Sequence, residues 1–128
     1  MTIQEVDSGL PNGFHDALLH GYRVDLVEKV AIIDIDVFTG DPEASEDAAR
    51  ERYERGRLTL RAVSFVVIEP QDPAYDAKAP FLIDLCSPRT DQEERFADGS
   101  FAGAFFSSST NSFIRFRARE AEFALEEK

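Results

Sequence analysis

The sequence predicts a mainly β, single-domain protein: an antiparallel sheet curled as a sandwich or open barrel, with at most one short helix. Three observations carry this. Several stretches alternate apolar and polar residues with period two, Ile33, Ile35 and Val37 against Asp34 and Asp36 most clearly. Hardly any segment repeats apolar residues at helical spacing. The chain has 128 residues, 43% hydrophobic and 30% charged, the size and balance of one globular domain with its own core. Phe occurs 11 times and Trp not at all, so Phe, Ile, Val and Leu are the expected core.

Residues 1–11 are polar, end in Gly9-Leu10-Pro11 and read as an extended lead-in. Two strand-like runs lie between Ala17 and Thr39. On the first, Leu18, His20, Tyr22, Val24 and Leu26 share one parity, while Arg23 and Asp25 take the other. The second is the Ile33–Val37 alternation, and Glu28-Lys29 joins the pair as a hairpin without Gly or Asn. Gly40-Asp41-Pro42 stops the second strand. Residues 41–56 are a charged excursion, read as a short helix or a loop. In the helix reading Ser45 is the cap, Ala48, Ala49 and Tyr53 form a weak apolar side, and Gly56 is the end. It is either a partner-binding insertion or a solvated connector.

Residues 57–69 carry the strongest strand signal. Leu58, Leu60 and Ala62 alternate with Arg57, Thr59 and Arg61, and Val63 to Ile68 is then almost unbroken apolar sequence. That second half reads as a central strand covered on both faces. After Pro70, Pro73 and a loop to Pro80, Phe81, Ile83 and Leu85 alternate with Leu82, Asp84 and Cys86 until Pro88. A polar stretch, 89–100, ends in an Asp98-Gly99 turn before the run Phe101–Phe106. Gly103 within that run suggests a bulge or a close backbone crossing. Ser107–Asn111 is a polar connection. Ile114, Phe116 and Ala118 then alternate with Arg115, Arg117 and Arg119. The parity flips at Glu120, so that Ala121, Phe123 and Leu125 face inward. A one-residue bulge near Arg119-Glu120 carries one strand through both halves, against a rival terminal helix rich in Glu, Ala and Leu.

Acidic residues number 25 against 14 basic ones, a net charge of −11. That field disfavours nucleic acid and anionic membranes, favours a basic protein partner or a cation, and aids solubility. Cys86 is alone, so an internal disulfide and a Cys-based zinc site are excluded, and its neighbours Ile83 and Leu85 suggest a buried thiol. The absence of a basic, apolar leader or a membrane-length run makes a cytoplasmic protein the expectation.

The densest chemistry is Asn12-Gly13-Phe14-His15-Asp16-Ala17, directly after Pro11. On a strand, His15 and Asp16 point to opposite faces. The blander reading is therefore that Phe14 packs inward, His15 is a satisfied polar residue, and Asp16 accepts hydrogen bonds from His15 or the backbone. Phe14, His15 and Asp16 stand as binding candidates on that basis. The alternative is a metal site or metal-dependent hydrolase in which His15, Asp16 and His20 converge with Asp34 or Asp36, a donor set suited to zinc. No His-Glu-x-x-His, Gly-rich phosphate loop or Gly-x-Ser-x-Gly elbow occurs, and Cys86 with either histidine has no supporting signature. No catalytic residue and no cofactor are assigned. The Arg115, Arg117, Arg119 row, with Arg57 and Arg61, either grips an anion or pairs with carboxylates such as Asp34 and Asp36. In so acidic a chain the ion pairs are favoured. A third reading makes an oligomer-forming structural domain, with Phe101, Phe105 and Phe106 exposed as the interface of a homo-oligomer.

Gly13-Phe14-His15-Asp16-Ala17 resembles the opening of small uncharacterised bacterial proteins in which Phe-His-Asp-Ala precedes paired β-strands. It is also similar to the opening of one family of immunity proteins from bacterial polymorphic-toxin systems. Those often continue with Glu, where this chain has Leu18. The resemblance implies a compact, non-enzymatic domain that binds a protein partner through its surface, and an acidic protein masking a basic toxin matches the charge. It carries no catalytic residues over.

Overall fold

The chain begins with a helix, not an extended lead-in. In the computed structural model, which describes residues 1–74, 81–86 and 95–126, α1 spans Ile3–Ser8. Thr2 Oγ1 accepts the Glu5 amide at 3.1 Å, and Glu5 Oε1 accepts the Thr2 amide at 3.0 Å. This reciprocal capping box satisfies two donors that a helix start leaves open, and it turns Ile3 and Val6 into the core. The Thr-x-x-Glu spacing was its signal in the sequence.

Among the described residues eight strands follow: β1 (Ala17–Asp25), β2 (Val30–Phe38), β3 (Tyr53–Arg61), β4 (Phe65–Ile68), β5 (Phe81–Leu85), β6 (Phe101–Ser107), β7 (Ser112–Ala118) and β8 (Glu120–Leu125). They form one antiparallel sheet in the order β4-β7-β6-β5-β1-β2-β3-β8. The expected mainly β, open-barrel class is therefore observed, with two short helices among the described residues instead of at most one; α2 is Asp47–Arg50. The sheet's two ends are linked through the chain itself, because β3 runs on into β4 and β7 into β8. At the first kink Ala62 takes φ +52°. Across the kinks Arg119 N donates to Arg61 O (3.1 Å) and Ser64 N to Arg117 O (2.8 Å). The C-terminal parity flip is thus a kink at Arg119 between two strands, and the terminal helix is absent among the described residues.

Inward residues close the core: Leu19, Ile33, Ile35, Val37, Leu58, Leu60, Ile83, Phe101, Phe105 and Phe116 are all buried. Phe101 and Phe105 therefore offer no oligomer surface, being 0% and 1% exposed. Several other expectations change for identifiable reasons. A register shift between Leu19 and Gly21 splits β1. Ala17 and Leu19 face inward before it and Tyr22 and Val24 pack on the core side after it, so Leu18 does not share their face. The charged excursion is shorter than 41–56, since Tyr53 and Gly56 already belong to β3, paired with Phe38 and Ile35. Glu46, not Ser45, occupies the N-cap of α2, without a side-chain cap bond. Cys86 is exposed, because it continues the outward parity of Asp84 at the end of β5. Gly103 sits in unbroken register opposite Phe116, so there is no bulge; side chains, not backbone, make the close approach.

The apolar run 63–68 is the largest surprise. Among the described residues β4 is an edge strand paired only with β7, and its outward residues Phe65 and Val67 are 45% and 48% exposed. A continuous apolar run signals a strand covered on both faces only where a second layer exists to cover it, and none of the described residues does so here.

The expected Asp98-Gly99 turn is present, with Gly99 at φ +84°. Asp98 accepts the hydroxyl and the backbone amide of Ser100, and those bonds, helped by Arg117, hold its carboxyl at about 2 against an ordinary 3.8. A depressed folded-state pKa contributes stability that is complete above the unfolded value and is lost as pH falls through the folded one. Urea midpoints should therefore fall between pH 4 and pH 2 more steeply in the wild type than in Asp98→Asn; parallel curves would remove this role.

Candidate functional site

The turn after Pro11 brings His15 and Asp16 together after all. Both precede β1, and Asp16 takes the left-handed conformation at φ +52°, so strand alternation does not apply to them. His15 Nε2 lies 3.3 Å from Asp16 Oδ2, and Nδ1 lies 2.7 Å from Asp84 Oδ1. The same Asp84 oxygen accepts the Asp16 amide at 2.9 Å. Asp84, not Asp16, is therefore the carboxylate that ties down the backbone here. Pairing of Ala17 with Ile83 places it there, a contact 66 positions apart that local patterning does not reveal. Tyr53 completes the cluster by donating its hydroxyl to the Asp16 carbonyl at 3.2 Å. Burial, with the charges of Asp16 and Glu51 behind it, pushes that phenol upward in pKa.

His20 is not part of this cluster. Its Nε2 meets Asp36 Oδ2 at 2.8 Å, and Arg55 binds the other oxygen of the same carboxylate. Burial raises the Asp36 pKa, but the Arg55 and His20 bonds together outweigh it and hold the group below the ordinary carboxylate value. Among the described residues, the His/Cys/Asp/Glu group compact enough for one cation is His15, Asp16 and Asp84, whose ligand atoms lie within 4.8 Å of one another. Asp34 pairs with Arg57 at 3.1 Å, apart from either histidine's contacts.

Arg57, Arg61, Arg115 and Arg117 of the arginine rows meet carboxylates or rings. Arg61 meets Glu122 at 3.1 Å, Arg117 meets Asp98 at 3.3 Å, and Arg115 lies 3.9 Å from Glu69. Arg115 also covers the Phe113 ring at 4.2 Å and Arg117 the Phe96 ring at 4.1 Å. These contacts favour cross-strand pairing over an anion grip.

Exposed apolar surface collects elsewhere. At the β1–β2 turn Leu26 and Val27 are 85% and 87% exposed. Lys29 of that turn accepts the Val63 amide at 2.9 Å, which sets the tip beside the β3–β4 kink. Phe65 and Val67, two and four residues past Val63, are exposed along the edge of β4. Sequence patterning missed the β4 part of this surface because it assigned Phe65 and Val67 to a strand covered on both faces.

The fold and these sites define a small acidic β domain with an open-barrel sheet, a free apolar edge and a surface His–carboxylate cluster. Compared with family models, curated proteins and solved structures, the chain gives no match.

Proposed function

We propose that this chain is a non-enzymatic protein-binding domain of the immunity type, which masks a basic partner in the bacterial cytoplasm. The observation that carries the reading is the free edge of β4. Among the described residues it pairs on one side only, it carries Phe65 and Val67 outward, and it follows the kink that the Val63 amide ties to the Lys29 carbonyl, at the end of the Leu26–Val27 turn. An unpaired edge flanked by apolar side chains suits an added strand from a partner, with main-chain bonds for affinity and side chains for selectivity. The charge chooses between partners. At −11, two copies of this chain repel, whereas a basic protein is drawn in and held. The Phe-His-Asp-Ala opening supports the same class.

The test is co-expression with the basic product of an adjacent reading frame, followed by calorimetry at two salt concentrations. A complex whose affinity falls with salt, and falls at least tenfold in Phe65→Lys/Val67→Lys, supports the reading. Binding indifferent to both changes, or light scattering that shows the chain as its own dimer through this edge, overturns it.

The His15–Asp16–Asp84 geometry favours a second reading, a transition-metal site. Asp84 on Nδ1 would orient the ring while Nε2 and Asp16 Oδ2 face the ion. Zinc titration of metal-stripped protein should then show one site, absent in His15→Ala; no uptake ends it.

A further inference from the structure

The inside of the curled sheet is not filled to its mouth. A cavity of about 310 Å³ opens there, with buried Leu19, Ile83 and Phe105 at its base and half-exposed Tyr22 and Ile68 at its rim. Beside it, past the shared residues Tyr22, Ile68 and Ile114, the void between Val24, Ala31, Ile33, Leu60 and Phe116 measures only about 10 Å³, room for a single water at most. The cavity therefore does not extend past these shared residues into the core.

One side of it is polar. Thr110 Oγ1 and Ser112 Oγ satisfy each other at 2.7 Å. Ser107 faces the cavity from the inward row of β6 and is 7% exposed, yet its Oγ has no hydrogen-bond partner among the described residues. A buried hydroxyl without a partner is unfavourable, and polar atoms inside native domains are nearly always bonded. Glu69 also lines the cavity, but Oε1 accepts the Phe113 amide at 2.8 Å and Oε2 faces Arg115. Its carboxylate repels an anion, while its existing partners leave little to attract a cation.

We infer that this cavity binds an uncharged amphiphile of about ten non-hydrogen atoms, its apolar chain against Leu19, Ile83 and Phe105 and its oxygen hydrogen-bonded to Ser107 Oγ. The size follows from the volume at roughly 30 Å³ per water-sized group. A mostly apolar, concave site with one oriented polar group is the usual design for small-molecule recognition. The site shares Ile68 with β4 but not the outward residues that carry the proposed partner edge: Phe65 and Val67 do not line it, and Ser107 belongs to the interior.

Titration of the purified chain with 1-butanol through 1-dodecanol tests this, read by calorimetry and by amide NMR shifts. Affinity should rise about fourfold per added methylene and stop rising near 1-octanol or 1-decanol, with shifts centred on Leu19, Ile83, Ser107 and Ile114. Octanoate should bind more weakly than 1-octanol. Ser107→Ala should weaken 1-hexanol by about two- to tenfold and leave 1-chlorohexane unchanged, and Ile68→Trp at the rim should weaken both. No saturable binding, an affinity that climbs through 1-dodecanol without a plateau, or indifference of 1-hexanol to Ser107→Ala would each overturn the inference.

Discussion

Phe14→Ala should lower folding stability by about 3–5 kcal/mol, against a total of about 5–15 kcal/mol for a domain of this kind. The ring is fully buried and meets Phe105 edge-on at 5.4 Å and Phe123 edge-on at 5.6 Å. Phe105 comes from β6 and Phe123 from β8, so one side chain ties the entry of β1 to two strands that are not its neighbours in the sheet. Aromatic contacts of this geometry add to the area term, and the surrounding rings are too stiff to collapse into the void. The backbone is anchored independently, because the Phe14 amide donates to Asp7 Oδ1 at 2.8 Å, so the truncation tests the ring and not the turn. With a urea slope of about 2 kcal/mol/M the midpoint should move by about 2 M. His15→Ala next door is the control. Its side chain is 74% exposed, and an exposed pair with Asp84 is worth about 1 kcal/mol or less. Equal shifts for the two variants would mean that Phe14 does not anchor the core.

That contrast shows what alternation reveals. Period-two patterning reports which way a side chain points, and it located β2, β5, β7 and the latter part of β3, whereas β6 was placed by its apolar run after the Asp98-Gly99 turn. It does not report which strand lies alongside. Val63 to Ile68 is as apolar as an interior strand, yet the kink at Ala62 turns its second half into an edge. Neither the kink nor the missing neighbour is a property of those residues alone. α1 was missed for a different reason: six residues are too few for helical periodicity, and only the Thr2–Glu5 cap spacing marks them.

The candidate sites divide in the same way. Phe14 was legible as an anchor because a large ring after a Pro-Asn-Gly turn has few places to go but inward. Asp84 was not, because it reaches His15 through the pairing of β1 with β5, set by loops that local patterns do not constrain. His20 was drawn toward His15 by nearness in sequence, whereas the irregularity between Leu19 and Gly21 sets it against Asp36 of β2. Ser107 looked like one of several serines in a polar connection; as the last residue of β6 it falls on the inward parity of Phe101 and Phe105.

The same inward row makes Gly103→Ala the second large effect, a loss of about 1–3 kcal/mol. A methyl group at this position would lie 2.6 Å from Phe116 Cζ and 3.0 Å from Ile3 Cγ2. Neither neighbour yields freely: Phe116 is 1% exposed and Ile3 0%, and Phe116 in turn packs on Phe105 with centroids 5.9 Å apart. The backbone at Gly103 needs no left-handed angle, so the penalty comes from crowding alone, and the smaller unfolded-state entropy of Ala offsets only part of it. Crowding has a signature that strain lacks. Ile3→Ala opens space beside the new methyl, so the double variant Ile3→Ala/Gly103→Ala should be more stable than the sum of the two single losses implies. Denaturant midpoints of the four proteins measure that coupling. Strict additivity would show that α1 does not rest on Gly103, and that the helix seals this part of the sheet without being fitted to it.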